Sequence, residues 1–88
     1  MIFSLGRLVA TPAALAALEA QQITALQLML RHQSGDWGDL GADDNRANTR
    51  AIAMGLRIFS AYKLGGEKFY VITEADRSST CLLLANEY

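Results

Sequence analysis

The sequence predicts an α+β fold in which two or three N-terminal helices pack on an antiparallel β-meander of three to four strands. Helix-capping signals fill the first half of the chain, whereas two apolar stretches around a Gly-Gly turn and a final apolar run fill the second half. The chain has 88 residues, of which 51% are apolar. This length and composition suit one domain, residues 1–88, with a substantial core.

Two capping signals predict the first two helices. Thr11 is a good N-cap residue, and Pro12 at the first helical position loses no hydrogen bond that the helix needs. Thr24 and Gln27 have the spacing of a capping box, in which each residue bonds the backbone of the other. We therefore expect a second helix that begins after Thr24 and ends near Gly35.

An acidic start predicts the third helix. Asp43 or Asp44 is expected to cap it, because carboxylates are stabilised at the positive end of the helix dipole. Gly55 suits the left-handed position that commonly follows a helix. The apolar stripe expected to face the core consists of Ala47, Ala51 and Met54.

Four segments are predicted to be strands. The first covers residues 2–10. Residues 57–64 and 68–74 flank a glycine-rich turn and therefore predict a hairpin. Residues 80–85 are apolar on both sides, which is typical of a central strand with both faces covered.

Composition restricts the function. Eight basic and nine acidic residues give a formal net charge of −1, whereas dedicated nucleic-acid binders usually have a basic surface. The single cysteine excludes an intramolecular disulfide, and no Cys/His pattern has zinc-site spacing. No run of about 20 apolar residues could span a membrane. We therefore expect a soluble cytoplasmic protein with no cofactor, no metal and no membrane partner.

Two polar segments are the candidate sites, because loops and element ends often carry function. Residues 32–39 read HQSGDWGD and residues 73–80 read TEADRSST. If the segments converge, His32, Glu74 and Arg77 could act as the base, acid and phosphate clamp of a nuclease. The candidate binding residues are Asp36, Trp37, Asp39, Asp76, Arg77 and Tyr88.

Structural roles compete with these assignments. His32 near the end of a helix would interact favourably with the helix dipole. Asp36 and Asp39 lie beside glycines, where aspartate commonly forms turns by bonding its own backbone. The two carboxylates near Arg77 in the sequence would form a structural ion pair with it. Each of these structural interpretations is the more common one for its residue type.

The aromatic residues of the hairpin offer a further alternative. Tyr62, Phe69 and Tyr70 are expected to be cross-strand partners. Rings on a sheet can stack with single-stranded bases, but the sequence shows no basic residues that would support this role. Nucleic-acid binding is therefore not favoured.

Several segments resemble a family of small bacterial proteins of plasmids and other mobile elements, some of them labelled type I restriction subunits. The segments read LGRLVATPAALAAL, RHQSGDWGDL, GLRIFSAYKL, VITEADRSST and LLLANEY, and the resemblance extends over nearly the whole chain. The family pattern ends in Leu-Pro-Glu-Glu-Tyr, so Asn86 stands here in place of an acid. The resemblance implies no activity. It implies that these residues belong to the family pattern: Gly35, Asp36, Trp37, Gly38, Thr73, Glu74, Asp76 and Arg77.

We therefore expect a small interaction protein of a mobile element that binds a host or plasmid protein, with a defence nuclease as one such target. The short length and the lack of a catalytic motif favour this function over an enzyme. An exposed Trp37 or Tyr88 would anchor the partner. Unpaired strand edges would also allow a homodimer. The alternatives are a compact ribonuclease-like enzyme and a DNA-binding regulator that reads with its second or third helix.

Overall fold

A computed structural model describes residues 2–88 and confirms the α+β class. Among these residues, none of the helices combines the length and the apolar character needed to span a membrane. The helices are α1 (Pro12–Ala20), α2 (Ala25–Gln33) and α3 (Ala42–Met54). The strands are β1 (Arg7–Ala10), β2 (Ile58–Leu64), β3 (Glu67–Thr73) and β4 (Ser79–Leu84), followed by a short 3-10 helix (Ala85–Glu87).

The four strands form one sheet in the order β1-β4-β3-β2. Strand β1 is parallel to β4, and the other neighbours are antiparallel. Strand β4 is therefore central, as its apolar sequence predicted. Strand β1 is shorter than expected because Gly6 has a φ of +66° that ends the extended run, and a Cβ there would overlap the Arg77 carbonyl oxygen.

Helices α1 and α2 cover one face of the sheet. Side chains alternate between the two faces of a strand, and in β4 every second residue is buried. The buried side chains of this face pack with Leu18, Leu28 and Met29 of the helices. On the sheet, the buried face consists of Ile58, Ser60, Tyr62, Phe69, Val71, Thr73, Thr80, Leu82 and Leu84.

The predicted caps of the first two helices are confirmed. The Thr11 side chain accepts a hydrogen bond from the Ala14 amide at 3.1 Å. Thr24 and Gln27 form both hydrogen bonds of the capping box, at 3.2 and 2.7 Å. Helix α2 ends at Gln33, two residues before the expected glycine.

The start of α3 differs from the prediction. Gly41 is its N-cap and gives no side-chain hydrogen bond, while Asp43 and Asp44 lie in the first turn. The buried stripe is also different, because Met54 is 67% exposed. Helix α3 lies beside β2, and its buried Asn48 donates to the Phe59 carbonyl at 2.6 Å and accepts from the Phe59 amide at 3.0 Å. A polar residue therefore directs this helix to the sheet edge.

Candidate functional site

The two polar segments converge at a buried histidine. His32 is fully buried, with Nδ1 2.5 Å from Ser60 Oγ and Nε2 2.9 Å from Thr73 Oγ1. Thr73 Oγ1 is 2.7 Å from Thr80 Oγ1, and the Thr80 hydroxyl donates to the Leu5 carbonyl at 2.7 Å. We call His32, Ser60, Thr73 and Thr80 the histidine–hydroxyl network. It joins α2 to the three strands of the meander.

The hydrogen bonds of this network have one consistent direction. Because the Leu5 carbonyl can only accept, the Thr80 hydroxyl donates to it and accepts from Thr73. Thr73 then accepts from Nε2–H of His32. Burial lowers the pKa of His32 to about 4, so the imidazole is neutral at pH 7. With its proton on Nε2, the neutral ring accepts at Nδ1 from the Ser60 hydroxyl.

This environment does not equip His32 as a general base. The Phe3 and Trp37 rings lie edge-on to the imidazole, with centroids at 5.2 and 5.8 Å. A general base must come within hydrogen-bond reach of its substrate, but both ring nitrogens of His32 already bond to buried hydroxyls. The residue holds α2 on the sheet.

Arg77 binds backbone carbonyls. Its Nη1 donates to the carbonyls of Leu56, Glu74 and Ala75 at 2.7 to 3.1 Å. Its Nη2 donates to the Ala51 carbonyl at 2.9 Å. The last carbonyls of a helix lack partners within the helix, so this side chain both caps α3 and fixes the turn after β3.

We expect Arg77→Ala to lower the free energy of unfolding by about 2 kcal/mol, because several carbonyls lose a charged donor. Urea unfolding would measure the change. Since Arg77 has a φ of +62°, Arg77→Gly is the matched control that also relieves the backbone. Arg77→Gly should therefore be the more stable of the two variants, and a wild-type stability for Arg77→Ala would contradict the capping role.

The two carboxylates near Arg77 have other partners. Glu74 Oε2 lies 3.7 Å from Arg57 Nη2. Asp76 Oδ1 accepts from the Ser78 amide at 2.9 Å, and hydrogen bonds from the Ser78 side chain and backbone lower the pKa of Asp76. Among the described residues, neither carboxylate forms an ion pair with Arg77.

The loop over residues 36–39 covers the outer edge of β2. The Ala61 amide donates to the Trp37 carbonyl at 3.2 Å, and the Asp39 amide donates to the Ala61 carbonyl at 2.7 Å. The Tyr62 hydroxyl donates to the Asp36 carbonyl at 2.6 Å. Since an open edge invites pairing with another chain, this loop closes one side of the sheet to such contacts.

The side chains of this loop are also occupied. Asp36 forms an ion pair with Arg31 at 2.7 Å, and the hydrogen bond from that guanidinium lowers the pKa of Asp36. Asp39 Oδ2 accepts from the Lys63 amide at 2.8 Å. Trp37 is only 8% exposed. A Trp37→Ala variant would therefore disturb the core and would not test binding alone.

Of the two expected anchors, Tyr88 is the exposed one, at 68%. Its ring contacts those of Phe59 and Tyr70, with centroids at 6.0 and 5.7 Å. The ring centroids of Phe59 and Tyr70 are 4.6 Å apart. We call these three rings the aromatic cluster. It lies on the face of the sheet opposite α1 and α2.

Helices α1 and α2 leave an open groove with a volume of about 620 Å³. Leu26 follows the groove residue Ala25 on α2, and Leu30 lies one turn further along the helix; their side chains are 53% and 52% exposed. We call the groove and these two leucines the helical surface. The sequence has apolar residues at four of the five positions from Leu26 to Leu30, so it did not show which would face outward. The groove is lined by Leu15, Leu18, Glu19, Gln22, Ile23, Thr24 and Ala25.

Comparisons of this chain with models of protein families, with curated proteins and with solved structures find no match. Within residues 2–88, no group of three His, Cys, Asp or Glu residues could hold a metal ion. The structure defines the class as an α+β domain with a mixed four-stranded sheet and two helices across one face. The candidate binding sites are therefore two surfaces with exposed apolar or aromatic side chains, the helical surface and the aromatic cluster.

Proposed function

We propose that this chain is a small interaction protein of a mobile genetic element, and that it binds a host or plasmid protein through the helical surface. The observation that carries the proposal is the half-exposed pair Leu26 and Leu30 beside an apolar groove. Contiguous exposed apolar surface of this kind commonly marks a protein-binding site. Inhibition of a defence nuclease is one form that this function could take.

The chemistry of the groove favours a protein partner. Glu19 is the one ionisable residue among those that line it, so the groove has no cation for a phosphate backbone. Apolar grooves between helices commonly accept the apolar side of an amphipathic helix. Leu15 and Ile23 would contact such a helix from the two walls. The partner segment is therefore an amphipathic helix with aliphatic anchors.

The alternative functions have less support. The expected nuclease residues are otherwise engaged, since His32 is buried and Arg77 binds carbonyls. A regulator that reads DNA with α3 would need its basic residues free. Arg46 instead pairs with Asp43 on the same helix. The resemblance to proteins of mobile elements supports the proposed biological context.

The double variant Leu26→Gln/Leu30→Gln should lose the partner while the fold is retained, because both side chains are half exposed and glutamine is a good helix former. The tagged chain would be captured from the bacterium that carries it, and bound proteins quantified by mass spectrometry. Calorimetry with the purified partner should then show at least about tenfold weaker binding, equivalent to about 1.4 kcal/mol.

Met54→Gln is the matched control, because Met54 is at least as exposed but belongs to the end of α3. This variant should keep the partner. Circular dichroism would confirm that all variants are folded. An unchanged yield of the same partner with the double variant, or an equal loss with Met54→Gln, would contradict the proposal.

A further inference from the structure

The face of the sheet opposite α1 and α2 carries a second exposed surface. Its side chains alternate along each strand with the buried ones, and the aromatic cluster occupies its β2 and β3 side. We call it the open sheet face. Its accessible side chains are those of Arg7, Val9, Phe59, Lys63, Lys68, Tyr70, Cys81 and Leu83, with Tyr88 packed on the face. Ala61 and Ile72 belong to the same side of the strands but are buried.

Two lysines lie together at one end of this face. Lys63 and Lys68 are direct cross-strand partners, and like charges in such positions repel each other. Lys68 Nζ also lies 5.5 Å from the centroid of the Tyr70 ring. An anion bound between the two ammonium groups would relieve the repulsion.

The carboxylates on or near this face either have partners of their own or lie away from the lysines. Glu74 lies near Arg57 at the end opposite the lysines. The Glu87 carboxylate accepts from the Thr11 hydroxyl and the Leu84 amide, at 2.7 and 2.8 Å.

Two carboxylates lie near the lysines: Asp39 accepts from the Lys63 amide, and Glu67 precedes Lys68 in β3. Because side chains alternate along a strand, Glu67 is on the other side of the sheet from Lys68. The lysines are therefore the charged side chains of the open sheet face at this end.

The aromatic cluster supplies stacking surfaces beside these cations. The interplanar angles of its rings are 55°, 72° and 86°. Tyr88 is the most exposed of the three rings and is therefore the main stacking surface for a planar ligand. Tyr62 and Phe69, the rings that the sequence suggested, point to the helices and are fully buried. Phe59 and Tyr88 take their place and contact Tyr70, whose ring lies next to the Lys68 ammonium group.

We propose that the open sheet face binds single-stranded nucleic acid, with bases stacked on the aromatic cluster and phosphates bound by Lys63 and Lys68. Aromatic rings on a sheet stack with unpaired bases, and a neighbouring cationic groove binds the backbone. A duplex keeps its bases stacked on each other and cannot make these contacts. This site is independent of the helical surface, so the chain could bind a nucleic acid and a protein together.

A second copy of the chain is a poorer occupant. Stacking two such faces with the same ends together would place the Lys63–Lys68 pair of one copy against the same lysines of the other. With the ends reversed, the lysines would meet the end that holds Arg7 and the Arg57–Glu74 ion pair, where the cations outnumber the carboxylate. Like-charge contacts of this kind cost several kcal/mol at an interface. The charge of the face therefore favours a polyanion.

Fluorescence anisotropy with labelled probes tests the proposal. The probes are an oligo(U) RNA of about 12 nucleotides, an oligo(dT) of equal length, a duplex of equal length and an oligoglutamate peptide of equal length. We expect both single strands to bind with dissociation constants below about 100 μM at low salt and to weaken as salt rises. The duplex should bind at least about tenfold more weakly.

Two pairs of variants separate stacking from charge. Tyr88→Leu should weaken oligo(U) binding about tenfold, whereas Tyr88→Phe should retain it, because a lost stacking partner is worth about 1–3 kcal/mol. Lys63→Gln/Lys68→Gln should reduce the slope of log affinity against log salt by about 1. Arg46→Gln/Arg50→Gln removes two cations from α3 and should leave binding unchanged.

Three results would overturn the proposal. The first is no anisotropy change with either single strand at about 100 μM protein. The second is an equal loss of affinity in the lysine and α3 arginine variants. The third is binding of the oligoglutamate peptide without binding of the oligonucleotides, which would assign the face to an acidic protein. Since Leu26→Gln/Leu30→Gln should bind oligo(U) normally, failure of this proposal is distinguishable from failure of the proposed function.

Discussion

The free energy of unfolding is expected to fall by about 3 kcal/mol as the pH decreases from 6.5 to 4, because His32 is buried as a neutral imidazole. Its pKa is about 4 in the folded protein and 6.5 in the unfolded chain. Each unit of pKa difference corresponds to about 1.4 kcal/mol. Protonation would put a second N–H on Nδ1, which accepts from Ser60 in the folded protein.

The sign follows from proton binding. Between pH 6.5 and 4 the unfolded chain binds a proton at His32 that the folded protein does not, so acid favours unfolding. The carboxyl pKa values of Asp36, Asp76 and Glu87 are also lowered by folding. Their stabilisation is present above their unfolded values of 3.8, 3.8 and 4.5 and is lost below them. In the upper part of this pH range, the change in the free energy of unfolding therefore comes from His32.

Urea unfolding at a series of pH values would measure this dependence. His32→Gln is the control, because its amide can donate and accept as the imidazole does but does not titrate, so its stability should be flat above about pH 5. An equally steep dependence in this variant would contradict the assignment. If His32→Gln does not fold, an NMR titration of the wild-type imidazole decides, since a pKa near the unfolded value of 6.5 would be incompatible with the buried network.

Gly38→Ala is expected to destabilise the protein by more than about 4 kcal/mol, at the extreme end of single substitutions. A Cβ at Gly38 would overlap the Ala61 carbonyl oxygen and lie 2.6 Å from Cδ1 of Tyr62. The φ of +76° adds backbone strain. Neither neighbour can move, since Ala61 belongs to β2 and the Tyr62 ring is buried. The loop would therefore leave the edge of β2.

Gly55→Ala is the control that distinguishes the cost of the left-handed backbone at Gly38 from the cost of the steric overlap there. Gly55 has a similar φ of +68°, but a Cβ there meets no atom within 4 Å. This variant should lose only about 1–2 kcal/mol, the cost of the left-handed backbone. Chemical denaturation followed by circular dichroism would compare the two variants. Equal losses would show that the close approach of Gly38 to β2 does not matter.

The sequence by itself determined the parts of the fold that depend on near neighbours. The capping box of Thr24 and Gln27 joins residues three positions apart, so its spacing is visible in the sequence. The Gly65–Gly66 turn is equally local, and both glycines have positive φ. Local signals can also mislead. The acidic start of α3 suggested an aspartate cap, but Gly41 takes that position.

Only the tertiary structure decided the roles of the polar residues. His32 meets Ser60 and Thr73 across 28 and 41 positions, and Thr80 meets Leu5 across 75. No spacing rule connects residues that far apart, so a sequence with a histidine and hydroxyls is compatible with either a catalytic or a structural role. Burial removes water, and each polar group must then find a partner within the protein.

The same reason explains which aromatic residues are exposed. Alternation along a strand separates Phe59 from Tyr62, and Phe69 from Tyr70, but it does not say which set faces the helices. That choice depends on α1 and α2 packing on one face of the assembled sheet. Sequence periodicity therefore determined the two sets of side chains, and tertiary packing decided which set became a surface.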